Sequence, residues 1–131
     1  MFSKKKQPPI RSLIAQGSEI QGRLKFADGL RIDGEVCGDV LAVPDRSSIL
    51  VVSETASVTG EIHADHVIVN GRVKGPIYAK TLLEVQPKAN IEGDVYYKAL
   101  EMHLGAIIQG RLVSLMAEEE KPTLKLAANN A

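Results

Sequence analysis

The stretch Ala89-Asn90-Ile91-Glu92-Gly93-Asp94-Val95 contains the pattern that decides the fold of this chain. It reads small residue, any residue, Ile or Val, any residue, Gly, any residue, aliphatic residue, and it occurs six times between residues 18 and 112. The central glycines of the six copies are Gly22, Gly38, Gly60, Gly75, Gly93 and Gly110. They are separated by 16, 22, 15, 18 and 17 residues. Such intervals match one coil of a β-solenoid with three short strands per coil.

Strand periodicity surrounds each glycine. Ile91 and Val95 lie two residues either side of Gly93, so they share one face of an extended chain while Glu92 and Asp94 take the other. A side chain in place of the glycine would collide where the chain bends or where neighbouring backbone approaches, so a bulky substitution should disrupt the coil locally. A second apolar strand follows five of the motifs, at Leu30 with Ile32, Leu50 with Val52, Val67 with Val69, Leu83 with Val85, and Leu100 with Met102. We therefore predict an all-β chain that forms a single β-solenoid of about six coils.

The regular pattern also predicts the domain organisation. Residues 16–115 are expected to form the solenoid, and segment 43–48, which accounts for the 22-residue interval, is expected to project as a loop. Residues 1–15 hold a lysine run and two consecutive prolines without periodicity, which favours a flexible basic tail. Residues 116–131 include Glu118, Glu119 and Glu120 and end in Ala-Ala-Asn-Asn-Ala, which favours a second flexible tail.

Composition restricts the classes of function. The chain of 131 residues is 44% hydrophobic but only 4% aromatic, so its core must consist of regular layers of Val, Ile and Leu. The formal net charge is zero, which argues against a nucleic-acid partner held by a positive field. Cys37 is the single cysteine and occupies an outward position, so we interpret it as a surface thiol in a reducing compartment. Because no stretch has the length of a signal or membrane-spanning segment, we expect a cytoplasmic location.

A search for catalytic, cofactor and metal sites in the sequence identifies none. His63 and His66 flank Asp65, but a zinc site needs three or four converging ligands, so we interpret these residues as solvated turn residues. No glycine-rich loop enters a helix, which leaves nucleotide binding without a signature. No Ser, His and Asp constellation can be assigned. Three tyrosines and no Trp are few aromatic residues for the groove of a sugar-cleaving β-helix.

The six repeats, their glycine phasing and the start Met1-Phe-Ser-Lys-Lys-Lys6 resemble the bactofilins, a family of polymer-forming bacterial cytoskeletal proteins. The resemblance covers residues 17–115 and 1–6. It implies a right-handed β-helix whose monomers stack end to end into nonpolar filaments without nucleotide. It further implies a membrane-associated scaffold for cell shape, which works with enzymes that modify peptidoglycan.

The two ends of the solenoid are the candidate polymerisation interface. Terminal coils of a solenoid expose apolar packing and unpaired strand edges, and no polar capping helix is evident before residue 18 or after residue 112. We expect the contacts to come from Ile20, Leu24 and Phe26 at one end and from Ile108, Leu112 and Leu115 at the other. Alternatively, each tail folds back to cover its own end.

The first six residues are the candidate membrane-binding segment. Each lysine near an anionic surface contributes about 1 kcal/mol, and burial of Phe2 adds about 1.5 to 3 kcal/mol. These energies are small for one monomer, but a filament would present many tails together. The residues concerned are Met1, Phe2, Lys4, Lys5 and Lys6. The alternative is a tail that remains in solvent.

Two other functions compete with a filament-forming scaffold. A left-handed β-helix acyltransferase also has about 18 residues per coil, but its six-residue rhythm is broken here by the four-residue step from Ile32 to Val36. A catalytic His at a subunit groove and a cofactor-binding extension are also missing. The second competitor is a β-helical scaffold that binds partners along its flat faces and does not polymerise.

Overall fold

The structure is a computed structural model that describes residues 8–116, and within them the chain forms 15 short strands. The strands are β1 (Ile10–Ile14), β2 (Glu19–Gln21), β3 (Leu24–Phe26), β4 (Asp28–Ile32), β5 (Glu35–Cys37), β6 (Val40–Ala42), β7 (Ser48–Val52), β8 (Ser57–Thr59), β9 (Ile62–Val69), β10 (Arg72–Lys74), β11 (Ile77–Val85), β12 (Asn90–Glu92), β13 (Val95–Met102), β14 (Ile107–Gln109) and β15 (Leu112–Ser114). All pairings between them are parallel.

The strands stack into three faces. Face 1 consists of β2, β5, β8, β10, β12 and β14. Face 2 consists of β3, β6, the segments 62–64 of β9, 77–79 of β11 and 95–97 of β13, and β15. Face 3 consists of β1, β4, β7 and the segments 66–69, 82–85 and 99–102 of the same long strands. The long strands β9, β11 and β13 therefore pass from face 2 to face 3 without leaving the sheet.

The chain visits face 3, then face 1, then face 2, and one such circuit is a coil. Coil 1 contains β1, β2 and β3, and coil 6 contains segment 99–102, β14 and β15. The all-β solenoid of six coils with three strands per coil is thus confirmed. Its start differs from the expected residue 16, because Leu13 and Ile14 of β1 pair with Arg31 and Ile32 of β4. The structure therefore moves the beginning of the solenoid to Ile10.

The core consists of columns in which residues of equal register lie above one another. Face 1 contributes Ile20, Val36, Val58, Val73, Ile91 and Ile108. Face 2 contributes Leu24, Val40, Ile62, Ile77, Val95 and Leu112. Face 3 contributes Ile14, Ile32, Val52, Val69, Val85 and Met102. Column members in coils 2 to 5 are at most 2% exposed, since each is covered by a residue on either side.

The motif glycines lie at the corner between face 1 and face 2, where the chain bends. Gly93 has a φ of 142°, and a Cβ there would lie 2.6 Å from the carbonyl oxygen of Gly75 in the preceding coil. The expected collision with neighbouring backbone is therefore confirmed at this position, and Gly38, Gly60, Gly75 and Gly110 repeat the arrangement. Gly22 differs, because no atom of the described chain lies within 4 Å of its Cβ position. Gly22 belongs to the first coil of the described chain.

The extra residues of the 22-residue interval between Gly38 and Gly60 form a loop between β6 and β7, as expected. Residues 44–47 are exposed, and Ser48 is already the first residue of β7 rather than part of the loop. Ser48 is 2% exposed; its backbone N–H donates to Asp65 Oδ2 at 3.2 Å and its Oγ accepts from the Asp65 N–H at 2.9 Å. Arg46 in the loop lies 3.8 Å from the carboxylate of Asp28, which also accepts a 2.9 Å hydrogen bond from Arg11 of β1.

Candidate functional site

Exposed apolar side chains mark the two ends of the solenoid. Among residues 8–116, the large hydrophobic residues with exposed side chains are Ile10, Leu13, Met102, Leu104, Ile107 and Leu112. The first two belong to coil 1 and the other four to coil 6. Coils 2 to 5 contribute none, although they carry the same motif. In the core columns, Met102 and Leu112 are exposed because no coil of the described chain lies beyond them.

The N-terminal end presents the first members of the core columns. Ile20 and Leu24, which the sequence placed in the interface, are partly buried there, as is Ile14. Phe26 differs from that expectation, because only 7% of it is exposed and it belongs to the core cluster. Phe26 pairs in register with Ala42, whose small side chain leaves room for the ring to turn inward. We therefore assign Phe26 to the core of coil 1.

The C-terminal end presents the last members of the same columns. Leu112 is 46% exposed, whereas Ile108 and Leu115 are partly buried. Sequence reasoning missed Met102, Leu104 and Ile107, of which Leu104 is the most exposed at 95%. Register alone could have identified Met102, since it continues the column of Val85. Leu104 lies in a turn, where no alternation predicts its direction.

Backbone edges accompany the apolar ends. The strands β1, β2 and β3 have a paired strand on one side only, and so do β14, β15 and segment 99–102 of β13 within the described part of the chain. Such strand edges offer a row of donors and acceptors to another chain. Gly22 adds a further feature to the first edge. In coils 2 to 6 the carbonyl group of the preceding motif glycine lies beside the motif glycine, whereas no atom of residues 8–116 occupies that space at Gly22.

Ion pairs tie each terminal coil to the coil beneath it. The Arg111 N–H donates to Asp94 Oδ1 at 2.9 Å, and Arg111 Nη2 donates to Asp94 Oδ2 at 3.1 Å. These two bonds, the backbone one first, hold the pKa of Asp94 below its usual value. At the other end, the pair between Arg11 and Asp28 joins β1 to β4. The terminal coils are thus held in place by exposed charges as well as by the sheet.

The outer surface of face 2 carries a stack of rings along the solenoid. His63 lies 4.3 Å from Tyr78, and Tyr78 lies 4.6 Å from Tyr96, measured between ring centroids. Partial desolvation, followed by the charge of Tyr96, raises the pKa of Tyr78. Because the ring faces contact one another, they are not available as a sugar-binding platform. The stack is an example of cross-strand pairing that stabilises the sheet.

The histidines are placed differently from the sequence interpretation. His63, Asp65 and His66 lie within β9 and not in a turn, because this strand passes the corner between two faces without interruption. They do not converge: His63 Nε2 lies 3.0 Å from a Glu61 carboxylate oxygen, whereas Asp65 bonds Ser48.

Three other groups on face 3 could approach one cation. The ligand atoms of Glu84, Glu101 and His103 lie within 4.8 Å of one another. Glu101 and His103 are exposed and Glu84 is partly buried, which is an ordinary arrangement for solvated carboxylates on neighbouring strands. Cys37 is exposed on face 1, as its outward position predicted.

The proposed membrane-binding residues Met1, Phe2, Lys4, Lys5 and Lys6 lie outside the described residues. Most of the C-terminal segment 116–131 does so too. Within residues 8–116, no helix is long and apolar enough to span a membrane.

Comparison with known proteins agrees with this geometry. The family model named Bactofilin and described as polymer-forming cytoskeletal matches residues 12–113. The chain belongs to the bactofilin family. A solved structure of the cytoskeletal bactofilin BacA, obtained by solid-state NMR, is similar to it with 35% identity and a TM-score of 0.66. The match covers 76% of this chain and 90% of that one. No curated protein matches the chain. This bactofilin is therefore a member of a structural, polymer-forming cytoskeletal family, as its repeats predicted.

Proposed function

We propose that this bactofilin assembles end to end into filaments through coil 1 and coil 6, without a nucleotide. The observation that carries the proposal is that, among residues 8–116, exposed large hydrophobic residues occur only in these two coils. A second copy placed on either end would continue both the core columns and the paired sheet. Burial of each half-exposed side chain contributes roughly 1 kcal/mol, and the strand edges add hydrogen bonds along three faces.

The test of this proposal is a charge at the end of one core column. In Leu112→Arg, end-to-end contact would bury an unpaired guanidinium, which costs about 3 kcal/mol or more. We therefore expect the critical concentration for assembly to rise by about a hundredfold or more. Sedimentation and negative-stain microscopy of the purified protein measure this. The matched control is Thr59→Arg, which places the same side chain on the exposed outer surface of β8 in coil 3.

The alternatives give different outcomes in the same assay. Filaments of Leu112→Arg at wild-type concentration would contradict assembly through coil 6. A wild-type protein that forms a discrete trimer would favour the left-handed β-helix acyltransferase. A wild-type protein that stays monomeric at all concentrations would favour either a non-polymerising scaffold or tails that cover the ends.

We further propose that the segment before β1 attaches the filament to the inner face of the cytoplasmic membrane. Its support is the combination of Phe2 with Lys4, Lys5 and Lys6, and the position of β1 in coil 1, which lets the segment leave the solenoid at one end. Phe2→Ala should abolish flotation with anionic liposomes while filaments persist in micrographs. Neutral liposomes are the control for the lysines. Loss of filaments in Phe2→Ala would assign the segment to assembly instead.

The cellular role proposed for such a membrane-attached filament is to organise cell shape or the enzymes that modify peptidoglycan. Its support is membership of a cytoskeletal family. Replacement of the chromosomal copy by the Leu112→Arg variant should disperse sites of new peptidoglycan synthesis, visible with a fluorescent cell-wall label. An unchanged label pattern would contradict this role.

A further inference from the structure

The outer surface of face 3 has an apolar centre that the other two faces lack. In the strands of coils 2 to 5 on this face, one outward residue lies between two buried inward residues. In coils 3 and 4 these outward residues are Val51 and Ile68, and Leu82 of coil 5 lies at a neighbouring outward position. At corresponding outward positions of coils 3 and 4, face 1 carries Thr59 and Lys74, and face 2 carries His63 and Tyr78.

The outward column through Val51 and Ile68 carries charged residues of opposite sign on either side of these two apolar residues. From coil 1 to coil 6 it reads Leu13, Arg31, Val51, Ile68, Glu84 and Glu101. The cation thus lies on one side of the apolar centre and both carboxylates on the other. Arg31 is 51% exposed and contacts Asp33 of its own chain at 2.9 Å, and Glu84 is 21% exposed and lies 3.5 Å from His66 Nε2. Glu84 and Glu101 are direct cross-strand neighbours, and like charges in that relation repel.

When a second copy of this column is placed opposite in the reverse coil order, charged residues of opposite sign and apolar residues face each other. Consider a two-fold axis that is parallel to the strands and lies between coil 3 and coil 4. It places face 3 of a second copy against face 3 of the first, with the coils in reverse order and each outward column opposite its own equivalent. Arg31 then lies opposite Glu84 of the second copy, and Val51 lies opposite Ile68 of the second copy. The outermost positions, Leu13 and Glu101, add no complementary pair. We infer that face 3 is a lateral interface at which two antiparallel solenoids of this bactofilin pair face to face.

The size of the face indicates when such pairing takes place. With coils about 4.8 Å apart and about 3.3 Å per residue, six coils of four residues cover roughly 29 by 13 Å, or about 380 Å². A stable interface buries about 800 Å² per partner, so single solenoids should not pair. The inference therefore rests on the proposed end-to-end assembly, which places many copies of face 3 in one line and lets weak contacts add. Lateral pairing joins filaments, not monomers.

Charge reversal at Arg31 and Glu84 tests the interface. Arg31→Glu should place two carboxylates opposite each other, and Glu84→Arg should place two guanidinium groups opposite each other. Each single variant is expected to form single filaments, with the paired fraction of filament length in negative-stain micrographs lowered by about tenfold or more. The double variant that carries both changes restores opposite charges and should restore pairing to the wild-type fraction. Arg72→Glu, on the exposed outer surface of face 1, is the matched control and should pair normally.

The outcomes separate this inference from the proposal beneath it. Single variants that pair like wild type, or a double variant that stays unpaired, would overturn the lateral interface while filaments remain. Pairing that is lost in a chelator and is insensitive to Arg31→Glu would also overturn it, and would assign the contact to a cation on Glu84, Glu101 and His103. Absence of filaments from the wild-type protein would instead refute end-to-end assembly.

Discussion

The interior coils and the terminal coils of this bactofilin carry the same sequence motif but differ in what the motif achieves. Val95 and Leu112 occupy equivalent motif positions and one core column, yet Val95 is fully buried and Leu112 is 46% exposed. The difference comes only from the number of adjacent coils. In a stack of this kind, the position of a repeat decides whether its apolar residues stabilise the fold or remain available for assembly.

The motif glycines show the same difference between interior and terminal coils, here in the backbone. At Gly93 a side chain would meet the carbonyl group of Gly75, whereas at Gly22 it would meet no atom of residues 8–116 within 4 Å. The interior glycine is therefore required by both conformation and space, and the terminal one by conformation alone. The two positions allow the contribution of stacking to be measured.

The largest expected effect is at this corner. Gly93→Val combines an unfavourable backbone conformation with a collision against backbone, so we expect a loss of more than about 4 kcal/mol in the free energy of unfolding. Gly22→Val should lose about 1 to 3 kcal/mol, since only the conformational cost applies. Urea unfolding followed by circular dichroism measures both in a Leu112→Arg background, which keeps assembly from contributing. Equal losses would show that stacking does not impose the glycine.

A smaller effect is expected in the column on face 1. Ile91 is fully buried in coil 5, and Ile108 continues the same column in coil 6, where it is partly exposed. In the Leu112→Arg background, Ile91→Ala should lower the free energy of unfolding by about 3 kcal/mol, because it leaves a cavity between two coils. Ile108→Ala should lose about 1 kcal/mol, since its site is open on one side. A loss at Ile108 as large as that at Ile91 would mean that another segment covers coil 6.

Most of the fold could be predicted from the sequence because a solenoid repeats one local rule. Alternation around Gly93 shows which residues point inward, and the spacing of the glycines gives the number of coils. The start of the solenoid was not predicted, because β1 contains no glycine motif and a bulge between Ile10 and Ser12 interrupts its alternation. Its place in the sheet depends on pairing with β4, which no local pattern records.

The candidate site was predictable only where it continues a column. The exposure of Leu112 could be predicted because it occupies the inward position of the last motif in the sequence. Phe26 has the same kind of position, yet the small Ala42 in the adjacent coil lets its ring bury. Leu104 has no column at all, so its exposure follows from the path of a turn. Side-chain volume in the neighbouring coil decides such cases.

The smallest expected effect concerns the ion pair that joins coil 6 to coil 5. Because the Arg111 N–H and guanidinium hold the pKa of Asp94 below its ordinary value, the folded state binds this proton less tightly than the unfolded state does. The stabilisation is therefore complete above an ordinary aspartate pKa of about 3.9 and is lost as the pH falls through the lowered value. In the Leu112→Arg background, the NMR signal of the Arg111 amide should shift with pH only below that ordinary value. Asp94→Asn, which keeps an acceptor but cannot titrate, should remove the shift. A midpoint at the ordinary value would mean that the pair does not hold the terminal coil, and that the sheet alone distinguishes it from the interior.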